Sequence, residues 1–480
     1  MQSDNKNFSH LLSDPIFRKV GSVADSLEMH CYVVGGYVRD LMLGLQSKDI
    51  DFVTVGSGIE LAAQVAKALG KNTHTAFYKN YGTAQVRKGA LELEFVGARK
   101  ESYRRESRNP IVEDGTLEED IARRDFTINA MALSVNEKDF GTLVDNFHGM
   151  EDLEARIIRT PLDPDITFSD DPLRMMRAVR FAAKLQFELY PETFEAIKRN
   201  ADRISIISVE RITTELVKII RSPKPSVGFI LMHQTGLLKH ILPEVEALRG
   251  VEVINGRGHK DNFYHTMQVL DSVAERSDNE LLRWAALFHD IAKPVTKRFE
   301  PGVGWTFYNH NIVGSNMLPR IFQRLKLPLG QELKYVRKLV ELHMRPIALV
   351  EDEVTDSAVR RLMNYAEEAL DDLMILARAD ITSKNQERKQ RFLDNFDLVE
   401  EKFVHIRQVD AELAYRNPID GNEIMHIFGL KTGPLVGYFT GNLKQAIKDC
   451  LIENTREASL EYLYKLARDK NIPIINKPQD

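Results

Sequence analysis

Cysteine is nearly absent from the 480 residues: Cys31 and Cys450 stand far apart. Two distant thiols cannot build a disulfide framework or a cysteine zinc site, and they fit a reducing compartment. Long apolar runs are missing too; no stretch approaches about 18 apolar residues, so no membrane-spanning helix is expected. The opening MQSDNKNFSH has no charged start leading into an apolar run, so no targeting leader is expected either. Positive charge is not in excess: 65 Lys and Arg against 70 Asp and Glu give a net charge of -5. That excludes a surface coated for indiscriminate nucleic-acid binding and leaves any RNA contact to local basic patches. No internal repeat or low-complexity tract interrupts the chain. Its length suffices for several cores, and the expectation is a cytoplasmic protein of more than one domain with no membrane partner.

What is present begins with VVGGYVRDLMLGLQSKDID, residues 33–51. The short β-branched run Cys31 to Val34 stops at Gly35-Gly36 and gives way to the helical spacing of Val38, Leu41, Met42 and Leu45. Gly35 and Gly36 let backbone N–H groups approach a triphosphate closely, and the helix start behind them favours anionic oxygens. Arg39 is placed to add a charged fork. In the next strand Asp49 and Asp51 share one face, roughly 6.5 Å apart at the backbone at ~3.3 Å per residue. Carboxylates so placed suit oxygen coordination of Mg²⁺ ions spaced about 3.5 to 4 Å apart. The run LELEFV (91–96) offers Glu94 as a third carboxylate or as an ordinary exposed strand residue.

Residues 31 to about 145 alternate strands with helices, whereas from Asp170 onward the pattern is almost wholly helical, with amphipathic stretches at 170–186, 191–200 and 208–221. In DDPLRMMRAVRFAAKLQF, Asp171, Arg174, Arg177 and Arg180 recur every three residues. On one helix this spacing drifts about 60° per step, fanning the arginines across one side while Met175, Met176, Val179 and Ala183 take the other. Asp171 and Arg174 then offer an acceptor and donors to a base edge, with Arg177 and Arg180 directed elsewhere, toward phosphate. Cytosine and adenine both present an amino donor beside a ring-nitrogen acceptor, and uracil and guanine do not. Just upstream, in LEEDIARRDFTINAMAL (117–133), Arg124 suits phosphate and Asp125 a sugar hydroxyl, or the two form a structural ion pair.

The later half is rich in histidine. His265, His289, His310 and His343 fall in a helical region, with Asp290 directly after His289 and Asp380 downstream. Imidazoles and carboxylates spread over separate helices can converge on a transition metal in a bundle core, or can be satisfied core residues. His259, in GRGHKD, is a further candidate. The organisation expected is an α/β head with a small mixed sheet (1–160), an all-α neck (161–250), an all-α domain that carries the histidines (251–390) and a helical tail (391–480).

The strand, glycine turn and paired acids resemble the head of the DNA polymerase β nucleotidyltransferase superfamily. With the loop RKESYRRESRNPIVEDGTLEED, RRDFTINAMAL, DDPLRMMRAVRF and ISVERITTEL (207–216), they resemble the class II CCA-adding tRNA nucleotidyltransferases, which share head and neck with bacterial poly(A) polymerase. The resemblance implies tRNA, CTP and ATP as partners, with Gly36 and Arg39 on the triphosphate and Asp49 and Asp51 on Mg²⁺. It further implies Arg124 on the nucleotide and Asp171, Arg174, Arg177 and Arg180 as a protein template for C and A. One departure is Asp170, shorter than the glutamate usual there. YHTMQVLD, LFHDIAKP, NHNIVGS, LHMRP and ARADIT resemble the HD phosphohydrolases, implying a divalent metal of unstated identity on His265, His289, Asp290 and Asp380. With His310 and His343 the set is similar to a two-metal version. The tail 417–439 is similar to the part of the family that meets tRNA, with Lys431, Thr432 and Gly433 either on phosphate or in a plain turn. Poly(A) polymerase, CC-adding and A-adding forms stay open, as does a phosphohydrolase with a nucleotide-binding regulatory head. A short, mildly charged ending, NKPQD, and the ESYRRESRNPIVEDG loop favour tRNA.

Overall fold

The computed structural model describes residues 7–476 except 48, 80–81, 105–106, 255–256, 259, 352–354, 382–385 and 413–416, with backbone alone for 101–112 and a few helical positions. His259 therefore lies outside the described residues, as does part of the 250–258 loop. The chain divides into two compact units, Met1–Glu246 and Ala247–Asp480.

In the first unit, α1 (Pro15–Ser26) leads to β1 (His30–Val34), α2 (Gly36–Met42), β2 (Asp49–Val55) and α3 (Gly58–Leu69). Strands β3 (His74–Tyr78), β4 (Thr83–Lys88) and β5 (Leu91–Gly97) follow, then the hairpin β6 (Arg99–Arg104) and β7 (Ser107–Asp114), α4 (Leu117–Ala122), β8 (Ala132–Ser134) and β9 (Leu143–Val144). The sheet order is β3-β4-β5-β2-β1-β8-β9. Only β2 and β5 pair in parallel within it, so the sheet is mixed, as expected.

Alternation explains β2. Ile50 and Phe52 are buried, and Phe52 stacks on Phe95 of β5 at 5.0 Å, while Asp49 and Asp51 take the other face. Between β1 and α2, Gly35 has φ +72° and ψ -139°, a conformation that strongly favours glycine. A Cβ there would also meet Arg124 Nη1 at 2.9 Å. The helix expected to run to Leu45 ends at Met42, because Gly44 turns the chain at φ +68°.

After α5 (Gly149–Ala155), a short β10 (Ile157–Ile158) pairs with β11 (Glu188–Leu189) around α6 (Pro164–Asp170) and α7 (Leu173–Leu185). The stretch 170–186 is thus not one helix. Asp171 is extended, at φ -135° and ψ 98°, because the proline that follows it disfavours helical geometry. Asp171 stands between the two helices and not within one, although the Arg174 N–H still donates to its carbonyl at 2.9 Å; this corrects the single helix expected there. The unit closes with α8 (Pro191–Asn200), α9 (Val209–Ile220), α10 (Pro225–Thr235) and the short α11 (Leu238–Ile241) and α12 (Pro243–Glu246). Met175, Met176, Val179 and Ala183 are buried, so the apolar face of α7 is as expected.

The second unit is predominantly helical, with two small hairpins, β12 (Val253–Ile254) with β13 (Arg257–Gly258) and β14 (Arg298–Glu300) with β15 (Gly304–Thr306). Around them run α13 (Asn262–Ala274), α14 (Glu280–Phe288), α15 (Lys293–Thr296), α16 (His310–Arg324) and α17 (Gln331–Leu342). Then come α18 (Met344–Glu351), α19 (Asp356–Ala366), α20 (Leu370–Asp380) and the long α21 (Gln386–Glu412). A separate apolar cluster, including Phe428, Phe439 and Leu463, joins α22 (Gly421–Phe428), α23 (Pro434–Lys448) and α24 (Arg456–Asp469). Among the described residues no helix is long and apolar enough to cross a membrane.

Candidate functional site

In the first unit a cavity of about 630 Å³ gathers the residues singled out in four sequence segments. Its wall takes Gly36 and Arg39 from α2, Asp49 and Asp51 from β2, Arg124 and Asp125 after α4, and Asp171, Arg174, Arg177 and Arg180 from the α6-α7 region. Gly35 abuts Arg124 at one side, and Glu94 stands opposite Asp51 on the adjacent parallel strand.

The carboxylates crowd one another. Burial and the neighbouring Glu94 push Asp51 up to about 6, against the opposing pull of Arg124 and with a further push from Asp49. Glu94 is itself raised, by burial and by Glu92. Acids so arranged on two parallel strands are an oxygen-donor set short of positive charge, which fits a divalent cation.

The arginines of the cavity are held by partners in its wall. Asp120, fully buried, pairs with Arg123 and, at 3.0 Å, with Arg124, fixing the guanidinium that faces Gly35 and Asp51. Arg39, 3 % exposed, donates to Asp40 at 2.7 Å and to the Asn129 side-chain carbonyl at 2.6 Å. It borders the cavity as a buried wall residue rather than as a projecting fork. Arg174 Nη2 donates to the Arg123 carbonyl at 2.7 Å. Arg177 pairs with Asp125 at 2.6 Å, and Asn129 also donates to Asp125 at 3.0 Å. Asp125 is thereby held below the usual carboxylate range: burial opposes this, but Arg177 and Asn129 prevail. Of the alternatives left open, the structure therefore contains an ion pair at Asp125, made with Arg177 rather than Arg124. Arg180 pairs with Glu215 of α9 at 2.5 Å. The Phe181 ring lies under three of these guanidiniums, at 4.9 Å from Arg39, 5.6 Å from Arg177 and 4.0 Å from Arg180. Asp170 ends α6 and does not line the cavity.

Sequence reading missed Asp120, Asn129, Phe181, Arg211 and Glu215. Each lies inside a quoted motif, and Arg211 and Glu215 stand four residues apart on α9, a spacing that signals one helix face.

The second unit brings five helix ends together. His265 lies on α13, His289 and Asp290 follow α14, His310 opens α16, His343 follows α17 and Asp380 closes α20. His265, His289 and Asp290 form one group whose ligand atoms lie within 4.8 Å of one another; Asp290, His310 and His343 form a second. Asp290 belongs to both, and Asp380 Oδ1 lies 2.8 Å from His265 Nε2 and 3.5 Å from His289 Nε2. The Nδ1 atoms of His289, His310 and His343 sit 2.8, 2.8 and 2.7 Å from the carbonyls of Ala286, Phe307 and Val340. Those carbonyls can only accept, so the proton sits on Nδ1 and each Nε2 turns a lone pair inward. His289 Nε2 is buried and makes no hydrogen bond. An orphaned imidazole nitrogen amid buried carboxylates fits a metal ion and does not suit a satisfied apolar core. Against burial, Asp290 and Asp380 call for positive charge at His289 Nε2 and raise it to about 10, a charge that either a proton or a cation in its place supplies; burial and His289 hold His343 down to about 4. Lys293 Nζ lies 2.6 Å from Asp290 Oδ2. Lys431, Thr432 and Gly433 occupy the turn between α22 and α23, with Lys431 and Thr432 exposed.

Comparison with known proteins gives a family match at each of three places. Residues 31–159 match the poly A polymerase head domain, 186–248 the probable RNA and SrmB-binding site of polymerase A, and 262–385 the HD domain. The A-adding tRNA nucleotidyltransferase of Deinococcus radiodurans is 31% identical over 86% of this chain and 90% of its own length. The multifunctional CCA protein of Chromobacterium violaceum is 36% identical over 62% of this chain and 71% of its own. Among solved structures, a tRNA nucleotidyltransferase complexed with a primer tRNA and an incoming ATP analog superposes with a TM-score of 0.57 at 26% identity, covering 81% of this chain and 99% of that one.

Proposed function

This chain belongs to the tRNA nucleotidyltransferase family of CCA-adding and A-adding enzymes, and from that premise we propose that it completes the 3′-terminal CCA of tRNA from CTP and ATP. One observation carries the reading: the paired strand carboxylates and the Asp171-Arg174 pair border the same cavity. The enzyme uses a divalent metal, and Mg²⁺ is the ion proposed for Asp49 and Asp51, with Glu94 beside them. When bound, it neutralises phosphate charge and acidifies the attacking hydroxyl.

The chain's own residues position and select. Gly35 and Gly36 leave room for phosphate against the backbone, and Arg124, fixed by Asp120, faces it with positive charge. The tRNA 3′-hydroxyl attacks the α-phosphorus in line and pyrophosphate departs. Asp171 accepts from the exocyclic amine of cytosine or adenine while Arg174 donates to the ring nitrogen beside it; uracil has no such amine, and the ring nitrogen beside guanine's carries a hydrogen. Arg39, Arg177 and Arg180 stiffen the wall around Phe181 and set its positive potential.

The division proposed is head 1–160, neck 161–250, HD domain 251–390 and tail 391–480, with Lys431 to Gly433 of the tail toward tRNA. His265, His289, Asp290, Asp380, His310 and His343 are assigned to divalent metal and to phosphoester hydrolysis at RNA ends. The proposed location is the cytoplasm.

A second reading, addition of the terminal A alone, is favoured by the A-adding relative that matches most of this chain. Transcripts ending before CCA, after C and after CC, given CTP and ATP separately, distinguish the two. Addition of C, C and A that then stops supports the first reading. Growth only from the CC-ended transcript supports the second, and a long A tail on unrelated RNA defeats both.

A further inference from the structure

Asp171 is anchored by two elements that approach it from different directions. Its Oδ1 accepts the Leu173 N–H at 3.1 Å, at the start of α7, and its Oδ2 accepts Arg211 Nη2 from α9 at 2.9 Å. The backbone at Asp171 is extended, at the junction of α6 and α7; its N–H meets the Thr167 carbonyl and its carbonyl accepts the Arg174 N–H at 2.9 Å, but these main-chain bonds leave the carboxylate itself unaimed. Without its two side-chain bonds an aspartate at such a break rotates about χ1 and χ2. With them its carboxylate has one orientation, and each oxygen keeps a further lone pair for a donor in the cavity.

Nothing about folding alone accounts for Arg211. The pair is partly open, with side chains 38% and 21% exposed, and open ion pairs contribute little to stability. Arg211 nevertheless lines the cavity. One turn further along α9, Glu215 holds Arg180 in the same manner, so one helix face serves both the start and the middle of α7. Arg174 is tethered independently, to the Arg123 carbonyl.

We infer that Arg211 is a positioning residue for base choice, aiming the Asp171 carboxylate at the amino group of the incoming base. The inference rests on the reading that Asp171 faces that base. A mis-aimed acceptor weakens the correct pair more than the chemistry, so the effect falls on nucleotide binding and discrimination.

The test uses the full-length protein with a CC-ended and a C-ended tRNA transcript. Arg211→Gln is expected to raise the KM for ATP and CTP about tenfold with a smaller change in kcat. It should also raise UTP incorporation relative to CTP and leave the thermal midpoint unchanged. Arg211→Lys, which keeps a donor, restores part of the selectivity. Wild-type KM and discrimination in Arg211→Gln overturn the inference. So does an equal loss in kcat for all four nucleotides with a lowered midpoint, which marks a structural role. Asp171→Asn separates this failure from that of the underlying reading. If it leaves C and A selection intact, the template itself is wrong; if it relaxes selection and Arg211→Gln does not, Arg211 alone falls.

Discussion

The two polar centres of this chain are built on opposite plans. In the first unit, an open cavity is walled by arginines tied down by carboxylates behind them: Arg123 and Arg124 by Asp120, Arg177 by Asp125, Arg180 by Glu215. In the second, imidazoles converge at buried helix ends and compete for two shared carboxylates, Asp290 and Asp380. Cations already paired within the wall keep a fixed field for a ligand that arrives and leaves, since no pairing must be broken to admit it. Imidazole nitrogens that converge on buried carboxylates call for positive charge between them, which a bound cation supplies. The proposed function follows the same contrast: an exchanging nucleotide at the first centre and a held metal at the second.

The comparison breaks most decisively if the centres are not independent. Asp49→Ala is expected to lower nucleotide addition by on the order of 10³-fold while leaving the metal content of the HD centre unchanged, read by radiolabelled addition and elemental analysis. Loss of HD metal in that variant would refute the separation. Next in size, Asp290→Ala removes the ligand common to both histidine groups and should cost about two metal equivalents per chain, against about one for His343→Ala. Equal losses would show that Asp290 is not shared.

Asp125→Asn sharpens the picture of the paired wall. Breaking its buried pair with Arg177 should destabilise the first unit by about 2 to 4 kcal/mol in urea unfolding. The pH dependence has a definite sign. Asp125 is lowered in the folded state, so its contribution is complete above the ordinary carboxylate range and is lost only as pH falls through the lower folded value. The difference between wild type and variant should therefore be undiminished at neutral pH and vanish only in strong acid. Gly35→Ala is the smallest of the four, about 1 to 3 kcal/mol from strained backbone, with weaker nucleotide binding as its Cβ meets Arg124. An unchanged thermal midpoint would show that the turn is not tightly specified.

Much of this was legible from local rules. Period-two alternation put Asp49 and Asp51 on one face, and the glycine pair marked the turn that Gly35 makes with positive φ. The spread of histidines over separate helices indicated convergence in a bundle. Asp171 was misread as helical although Pro172 behind it signalled a break. The arginine ladder was read as a fan reaching outward, whereas Arg177 and Arg180 are tied down by Asp125 and Glu215. Those partners lie 52 and 35 residues away, beyond any helical or strand period.

By itself, then, the sequence determined which chemical groups are present, which neighbours share a face, and where the chain changes from mixed α/β to helix. Only the tertiary structure decided ownership: that Asp120 holds Arg124, that Arg211 reaches Asp171, and that Asp290 serves two histidine groups at once. The physical reason is range. Periodicity is fixed by backbone geometry within a few residues, whereas partnering depends on where packed elements place atoms to within a few tenths of an ångström.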